Sequence, residues 1–291
     1  MFLIVHNPLS SNKKSKKTTI KYVNFFKKNN IPFRLRSTLK IDNLNAFLEK
    51  NNQITDILYL GGDGSINYLI NSVELSKIKQ NIYLGKSGSG NDFLRTLKKY
   101  KTAEITIGEA KTNNGTTRFI NGCGLGFDGL VCHYVNNDKK KGKLTYFLNV
   151  FKSIIKYKPV EIEVIVDDKP YQFKKVFISA VQNGVFFGGG MKATPKADPT
   201  DNQYEICIAH NLSKLTLQLL LLSIYPGWHT KIKRKVTMLK GQNIRINHPS
   251  DTYFQADGEV LSNVSTIDIK PVEKRVFIAF NKKDFKNKSA K

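Results

Sequence analysis

The chain has 291 residues, 40% of them hydrophobic and 24% charged, a balance that supports a buried core and excludes a disordered or fibrous protein. Its formal net charge of +24 favours anionic partners without choosing among membranes, nucleic acids and nucleotides. The most apolar segment after the N-terminus, Leu215 to Tyr225, falls well short of the roughly 20 residues that span a bilayer.

The N-terminus, Met1 to Pro8, lacks a basic leader region and a cleavage site, and reads as a short buried strand, Phe2 to Val5, rather than a signal peptide. Lys16 to Lys28 has helical periodicity; Phe33 to Arg36 reads as a strand and Leu44 to Lys50 as a helix. Ile57 to Leu60 is a strand running into Gly61-Gly62-Asp63-Gly64, with a helix from Ile66 to Val73. Ile82 to Leu84 is another strand, followed by Ser87-Gly88-Ser89-Gly90-Asn91-Asp92 and a short helix through Arg95. Alternating strands and helices predict a parallel sheet with helices on its faces.

Beyond a boundary near residue 113 the pattern changes to short strands: Glu104 to Ile107, Thr117 to Ile120, Val160 to Val166, Tyr171 to Ala180, Gln203 to Ile208, Asn243 to Asn247, Thr252 to Ala256 and Ser265 to Ile269. Asp167-Asp168 marks a hairpin between two of them, and only Leu144 to Lys156 and Leu215 to Tyr225 read as good helices. The second domain is therefore expected to be mostly antiparallel β. Cys123, Cys132 and Cys207 form no Cys-x-x-Cys pair and read as reduced residues of a cytoplasmic protein. The basic runs at 13–17, 139–143, 231–235 and the C-terminus lack interleaved aromatics, so no specific nucleic-acid site is expected.

Three turns carry chemistry. In Gly61 to Asn67 an apolar strand ends in glycines and a helix follows, which lets backbone approach a phosphate and aims helix amides at it. Asp63 there suits Mg²⁺ or proton acceptance. Gly88 to Arg95 repeats the device, and two such turns converge where an open α/β sheet binds ligands. Asp257-Gly258-Glu259 sets two carboxylates around a glycine, suited to Mg²⁺ or to a proton from an attacking hydroxyl. In isolation, each of the first and third also reads as an ordinary tight turn.

Taken in order, Asn7-Pro8, Gly-Gly-Asp-Gly at 61–64, Gly-Ser-Gly-Asn-Asp-Phe at 88–93 and Asp-Gly-Glu at 257–259 resemble the diacylglycerol kinase catalytic family, which includes bacterial soluble lipid kinases and the sphingosine and ceramide kinases. Asn121 to Asp128, Gly142 to Tyr146, Asn183-Gly184 with Gly188 to Gly190, and Pro195 to Asp201 extend the resemblance over most of the chain. It implies a Rossmann-like α/β nucleotide domain over 1–113, joined by 275–291, and an antiparallel β-sandwich over 114–274 for the lipid substrate.

The resemblance also implies ATP and Mg²⁺. Asn7, Thr38 (or Ser37), Gly61, Gly62, Asp63, Gly64, Ser65, Ile66, Asn67, Ser89, Asn91, Asp92 and Arg95 match its nucleotide-binding positions. Glu259 matches the family's proton acceptor, with Asp257 and Asp63 assisting, and Asp198 and Gln203, through backbone oxygens, and the Asp201 side chain match a structural Mg²⁺ loop. Two positions depart from the pattern: Leu9 to Asn12 lacks the usual glycine, and Asp201-Asn202 replaces Asp-Gly. The implied activity is phosphorylation of diacylglycerol or a related lipid alcohol by a cytoplasmic protein resting on an anionic membrane, and some family members are homodimers. Leu215 to Tyr225 with Trp228, His229 and the basic 231–235 run reads either as a membrane contact or as a core helix beside a solvated strand. A kinase of a soluble acceptor, as in the NAD kinases, and a non-catalytic nucleotide- or nucleic-acid-binding protein are the competing readings.

Overall fold

The computed structural model describes residues 1–8, 15–88, 90–139 and 143–285. Two compact units emerge: Met1–Ile105 with Lys274–Lys291, and Thr106–Glu273.

In the first unit β1 (Phe2–His6), α1 (Ser15–Lys28), β2 (Phe33–Ser37), α2 (Leu44–Glu49), β3 (Asp56–Gly61), α3 (Asp63–Ser72), β4 (Asn81–Lys86) and α4 (Asp92–Tyr100) alternate. Their strands are all parallel in the order β2-β1-β3-β4. β1 and β3 are buried on both faces, which explains the continuous apolar runs Phe-Leu-Ile-Val and Ile-Leu-Tyr-Leu. The crossover helices pack the sheet; Phe26 of α1 is fully buried against Phe2 at a centroid distance of 5.0 Å. Phe280 and Phe285, from the far end of the sequence, enter the same aromatic cluster, with Phe280 stacked on Phe26 at 5.9 Å.

The division between units falls inside β5 (Thr102–Thr112), ahead of residue 113, because one long strand replaces the short one read from the sequence. The second unit continues with β6 (Gly115–Phe119), β7 (Gly122–Leu125), α5 (Phe127–Asn137), α6 (Lys143–Lys156), β8 (Val160–Val166), β9 (Lys169–Val176), β10 (Ile178–Gln182), β11 (Tyr204–Ala209), α7 (Lys214–Ile224), β12 (Val236–Gly241), β13 (Ile244–Ala256) and β14 (Glu259–Ala279). Every strand pairing within β6 to β13 is antiparallel. The last residues of β14, Phe277 to Ala279, pair parallel with Ile82 to Leu84 of β4.

Alternation along β11 sends Tyr204, Ile206 and Ile208 into one core and Cys207 and Ala209 into another, where α5, α6 and α7 cover them. The Asp167-Asp168 turn is a two-residue hairpin with positive φ at both residues, 45° and 66°. α5 has no counterpart in the sequence reading, because Gly124, Gly126 and Gly129 mask its start. Gly126 needs φ of +93°, and a Cβ on Gly129 would meet the Tyr253 carbonyl oxygen at 2.2 Å.

Candidate active site

The phosphate-type turns of the first unit share one edge of its sheet. Asn7 follows β1, Thr38 follows β2, Gly61 ends β3 and Ser87 follows β4. The register pairs His6 with both Ser37 and Leu60, and Gly61 with Lys86, so all four exits lie at the carboxyl ends of parallel strands. The Ser37 hydroxyl accepts from the Leu39 amide at 3.2 Å, which leaves Thr38 to open the turn after it.

The two glycine turns touch backbone to backbone. A Cβ on Gly62 would stand 2.5 Å from the Gly90 carbonyl oxygen, and one on Gly88 would stand 2.4 Å from the Gly62 Cα. Asp63 then joins the turns: its Oδ2 accepts from the Asp92 amide at 3.0 Å and its Oδ1 from the Phe93 amide at 3.1 Å. Asp63 thus caps α4 from the neighbouring turn, whose own cap residue, Asn91, makes no side-chain cap bond. Asn91 instead donates Nδ2 to the Gly88 carbonyl at 2.8 Å, closing its own loop.

At the start of α3 Gly62 offers no side-chain cap, the Asp63 amide donates to the Gly90 carbonyl at 3.3 Å, and Gly64 is exposed. A helix start without a side-chain cap attracts an anion through its dipole. Ser65, Ile66 and Asn67 lie buried behind it. Asp92, 5% exposed, pairs with Arg95 at 2.9 Å, and Arg95 is 47% exposed, which places a cation at the edge of the turn. Ser89, residues 9–12 and Gly142 fall outside the described residues.

The second unit builds the third turn. Asp257 and Gly258, with φ of 49° and 94°, form a two-residue hairpin between β13 and β14, and Ala256 pairs with Glu259. The Asp257 carboxylate accepts three backbone amides, from Ile120 to Oδ2 at 2.9 Å and from Asn121 and Gly122 to Oδ1 at 2.9 and 3.0 Å. Asp257 therefore clamps the hairpin to the start of β7, while its neighbour Glu259 stays exposed to solvent. Further support comes from residues that the sequence reading gave no role. Gln255 Oε1 accepts from the Gly258 amide at 3.0 Å, its Nε2 donates to Asp128 Oδ2 at 3.2 Å, and Asn136 Nδ2 donates to the Gly258 carbonyl at 2.9 Å. Asp128 is buried in the first turn of α5, and burial pushes its carboxyl up to about 6. The Gly-Phe-Asp segment at 126–128 was visible in the sequence, but its reach to the hairpin was not.

The proposed structural metal loop closes on protein groups. Asp198 Oδ1 accepts from the Thr200 amide and hydroxyl at 3.0 and 2.7 Å, and Asp201 Oδ1 from the Gln203 amide at 2.9 Å. Asp201 Oδ2 pairs with the Lys240 ammonium at 2.7 Å, and Asn202 supplies the left-handed residue, with φ of 62°. An ion in this loop would share the Asp201 carboxylate with that ammonium, its other implied ligands being the backbone oxygens of Asp198 and Gln203.

These geometries agree with what the chain is similar to. Residues 1–119 match the diacylglycerol kinase catalytic domain, and residues 122–278 match the YegS C-terminal NAD kinase beta sandwich-like domain. The Bacillus subtilis protein named "Putative lipid kinase YtlR" is 28% identical over 233 residues, covering 70% of this chain and 74% of its own. A diacylglycerol kinase of Mycobacterium tuberculosis is 22% identical over 219 residues, covering 70% of each. The crystal structure of a diacylglycerol kinase from Bacillus anthracis superposes with a TM-score of 0.67 at 16% identity, over 96% of both chains, which supports the fold. An α/β unit with paired glycine turns, followed by an antiparallel unit presenting Asp-Gly-Glu, places this chain in the diacylglycerol kinase catalytic family of ATP-using lipid kinases.

Proposed function

We propose that the protein transfers the γ-phosphoryl group of ATP to the hydroxyl of diacylglycerol or a closely related lipid alcohol. The observation that carries this reading is the division of labour in the third turn: Asp257 is held by three amides, and Glu259 beside it is left open. A rigid hairpin presenting one solvent-facing carboxylate suits a proton acceptor. In the first unit, the Gly62–Gly88 contact and the exposed Gly64 at the start of α3, which has no side-chain cap, cradle the phosphates, with Arg95 adding positive charge.

The acceptor oxygen forms its bond to the γ-phosphorus as the bond to the β-γ bridging oxygen breaks, ADP leaves, and Glu259 takes the hydroxyl proton. Mg²⁺, when bound with ATP, neutralises triphosphate charge; Asp63 and Asp92 are the carboxylates beside the phosphate turns. Catalysis of this kind is mainly positioning and charge stabilisation.

The test is incubation with γ-labelled ATP, Mg²⁺ and mixed micelles holding a panel of lipid alcohols, alongside Glu259→Gln and Asp63→Ala. A labelled lipid made by the parent and reduced by about a hundredfold or more in Glu259→Gln is the expected result. Label transferred to no lipid but to a soluble nucleotide acceptor refutes the assignment.

A further inference from the structure

Two helices of the second unit are apolar on the side that faces away from their core. On α6, Leu144, Phe147, Leu148, Phe151 and Ile155 follow one another at helical spacing and are 44–73% exposed. The opposite side of α6 is packed, with Ile154, Asn149 and Ser153 buried. α7 repeats this: Leu217, Leu220 and Ile224 enter the core, while Leu215, Leu219 and Leu222 are 63–69% exposed. The helices are neighbours, since Lys214 at the start of α7 donates its ammonium to the Ile155 carbonyl on α6. Trp228, 64% exposed, follows α7. A face of this kind is more than scattered surface leucines; it marks an interaction site.

Charge selects the occupant. The sequence holds no carboxylate between Asp138 and Glu161, the stretch that contains α6, and none between Glu205 and Asp251, the stretch that contains α7 and Trp228. Lys156, Lys214, Lys231, Lys233 and Arg234 in those stretches are exposed. A second copy of the chain on this face would bring cations against cations. An anionic bilayer satisfies both features: leucine, phenylalanine and tryptophan enter the interfacial zone, and ammonium groups meet lipid phosphates. Among the described residues no helix is long and apolar enough to cross the membrane, so attachment through these helices is peripheral.

We infer that the joint face of α6 and α7, with Trp228, is a docking surface for an anionic lipid bilayer. Its use in delivering the acceptor rests on the lipid kinase reading; the binding itself does not. The test uses the full chain without ATP, sedimented with phosphatidylcholine vesicles with and without phosphatidylglycerol. The parent is expected to bind the phosphatidylglycerol vesicles about tenfold more strongly than the neutral ones. The double variant Phe147→Glu/Leu219→Glu is expected to lose about tenfold or more of that binding. Its circular dichroism and its transfer to a short-chain, water-soluble diacylglycerol should not change. Equal binding by parent and variant, indifference to phosphatidylglycerol, or a soluble dimer that the double variant dissociates each overturns the proposal. A chain that binds these vesicles but phosphorylates no lipid supports the surface and refutes the kinase reading instead.

Discussion

Replacing Asp257 separates a structural carboxylate from a chemical one. Its two oxygens accept amides from Ile120, Asn121 and Gly122, all buried. A hydrogen bond to a charged group contributes about 1.5–3 kcal/mol, and an amide left buried without a partner adds its own cost. The plain sum for Asp257→Ala is roughly 4–9 kcal/mol; water reaching the half-buried carboxylate site lowers the expectation to about 3–5 kcal/mol. Asp257→Asn keeps one acceptor oxygen, turns an NH₂ toward an amide, and should cost about 2 kcal/mol. Urea unfolding followed by circular dichroism gives the stabilities, and lipid phosphorylation gives the activity. Glu259→Gln, at an exposed position, should change stability by less than about 0.5 kcal/mol while activity falls about a hundredfold or more. An Asp257→Asn protein as stable as the parent but inactive would refute the clamp and make Asp257 a reacting or ion-binding group.

Gly88→Ala forces a Cβ into the Gly62 backbone, 2.4 Å from its Cα, and should cost about 2–3 kcal/mol and weaken ATP binding severalfold, read by urea unfolding and ATP titration. Asp63→Asn keeps one cap oxygen and loses the other, so α4 should be destabilised by about 1 kcal/mol while kinase activity is lost; Asp63→Ala should cost about 1–2 kcal/mol, so loss of activity in it is read only beside its urea curve. Asp128 gives a pH test. Its folded carboxyl titrates near 6, above the unfolded value, so the fold favours the protonated form. That stabilisation is complete below about pH 4, declines as the unfolded chain ionises, and is gone above about pH 6, a total near 3 kcal/mol at about 1.4 kcal/mol per unit. Asp128→Asn lacks this titration, so its stability relative to the parent should rise by about 3 kcal/mol between about pH 4 and pH 7. A stability difference independent of pH would refute the buried, raised carboxyl.

Legibility in the sequence followed the range of the interactions. β1 and β3 are readable because doubly buried parallel strands are continuous apolar runs ending at proline or glycine. The glycine turns were readable because they are local. β14 is legible only as Ser265 to Ile269, because its continuation from Lys270 to Val276 alternates between exposed and half-buried positions and is mostly polar, with a proline in it. Thr252 to Ala256 and all of Asn243 to Asn247 but its first residue belong to one strand, β13, whose register shifts near Thr252 interrupt the alternation. At the candidate site the types of residue were legible but their duties were not. Asp257 and Asp63 looked like equivalent chemical acids, yet each is engaged by amides more than 25 residues away in sequence, a tertiary fact that no spacing reveals. The ion pair of Asp201 with Lys240, from β12, is likewise invisible in the spacing of the loop.

The cross-cap by Asp63 makes the two glycine turns one cooperative opening unit. Any fluctuation that lifts the first turn uncovers the amides of Asp92 and Phe93 at the head of α4, and any unwinding of α4 releases the Asp63 side chain. Hydrogen exchange at those two amides therefore senses a ligand seated on α3, so that occupancy of one loop can be followed by the protection of the other.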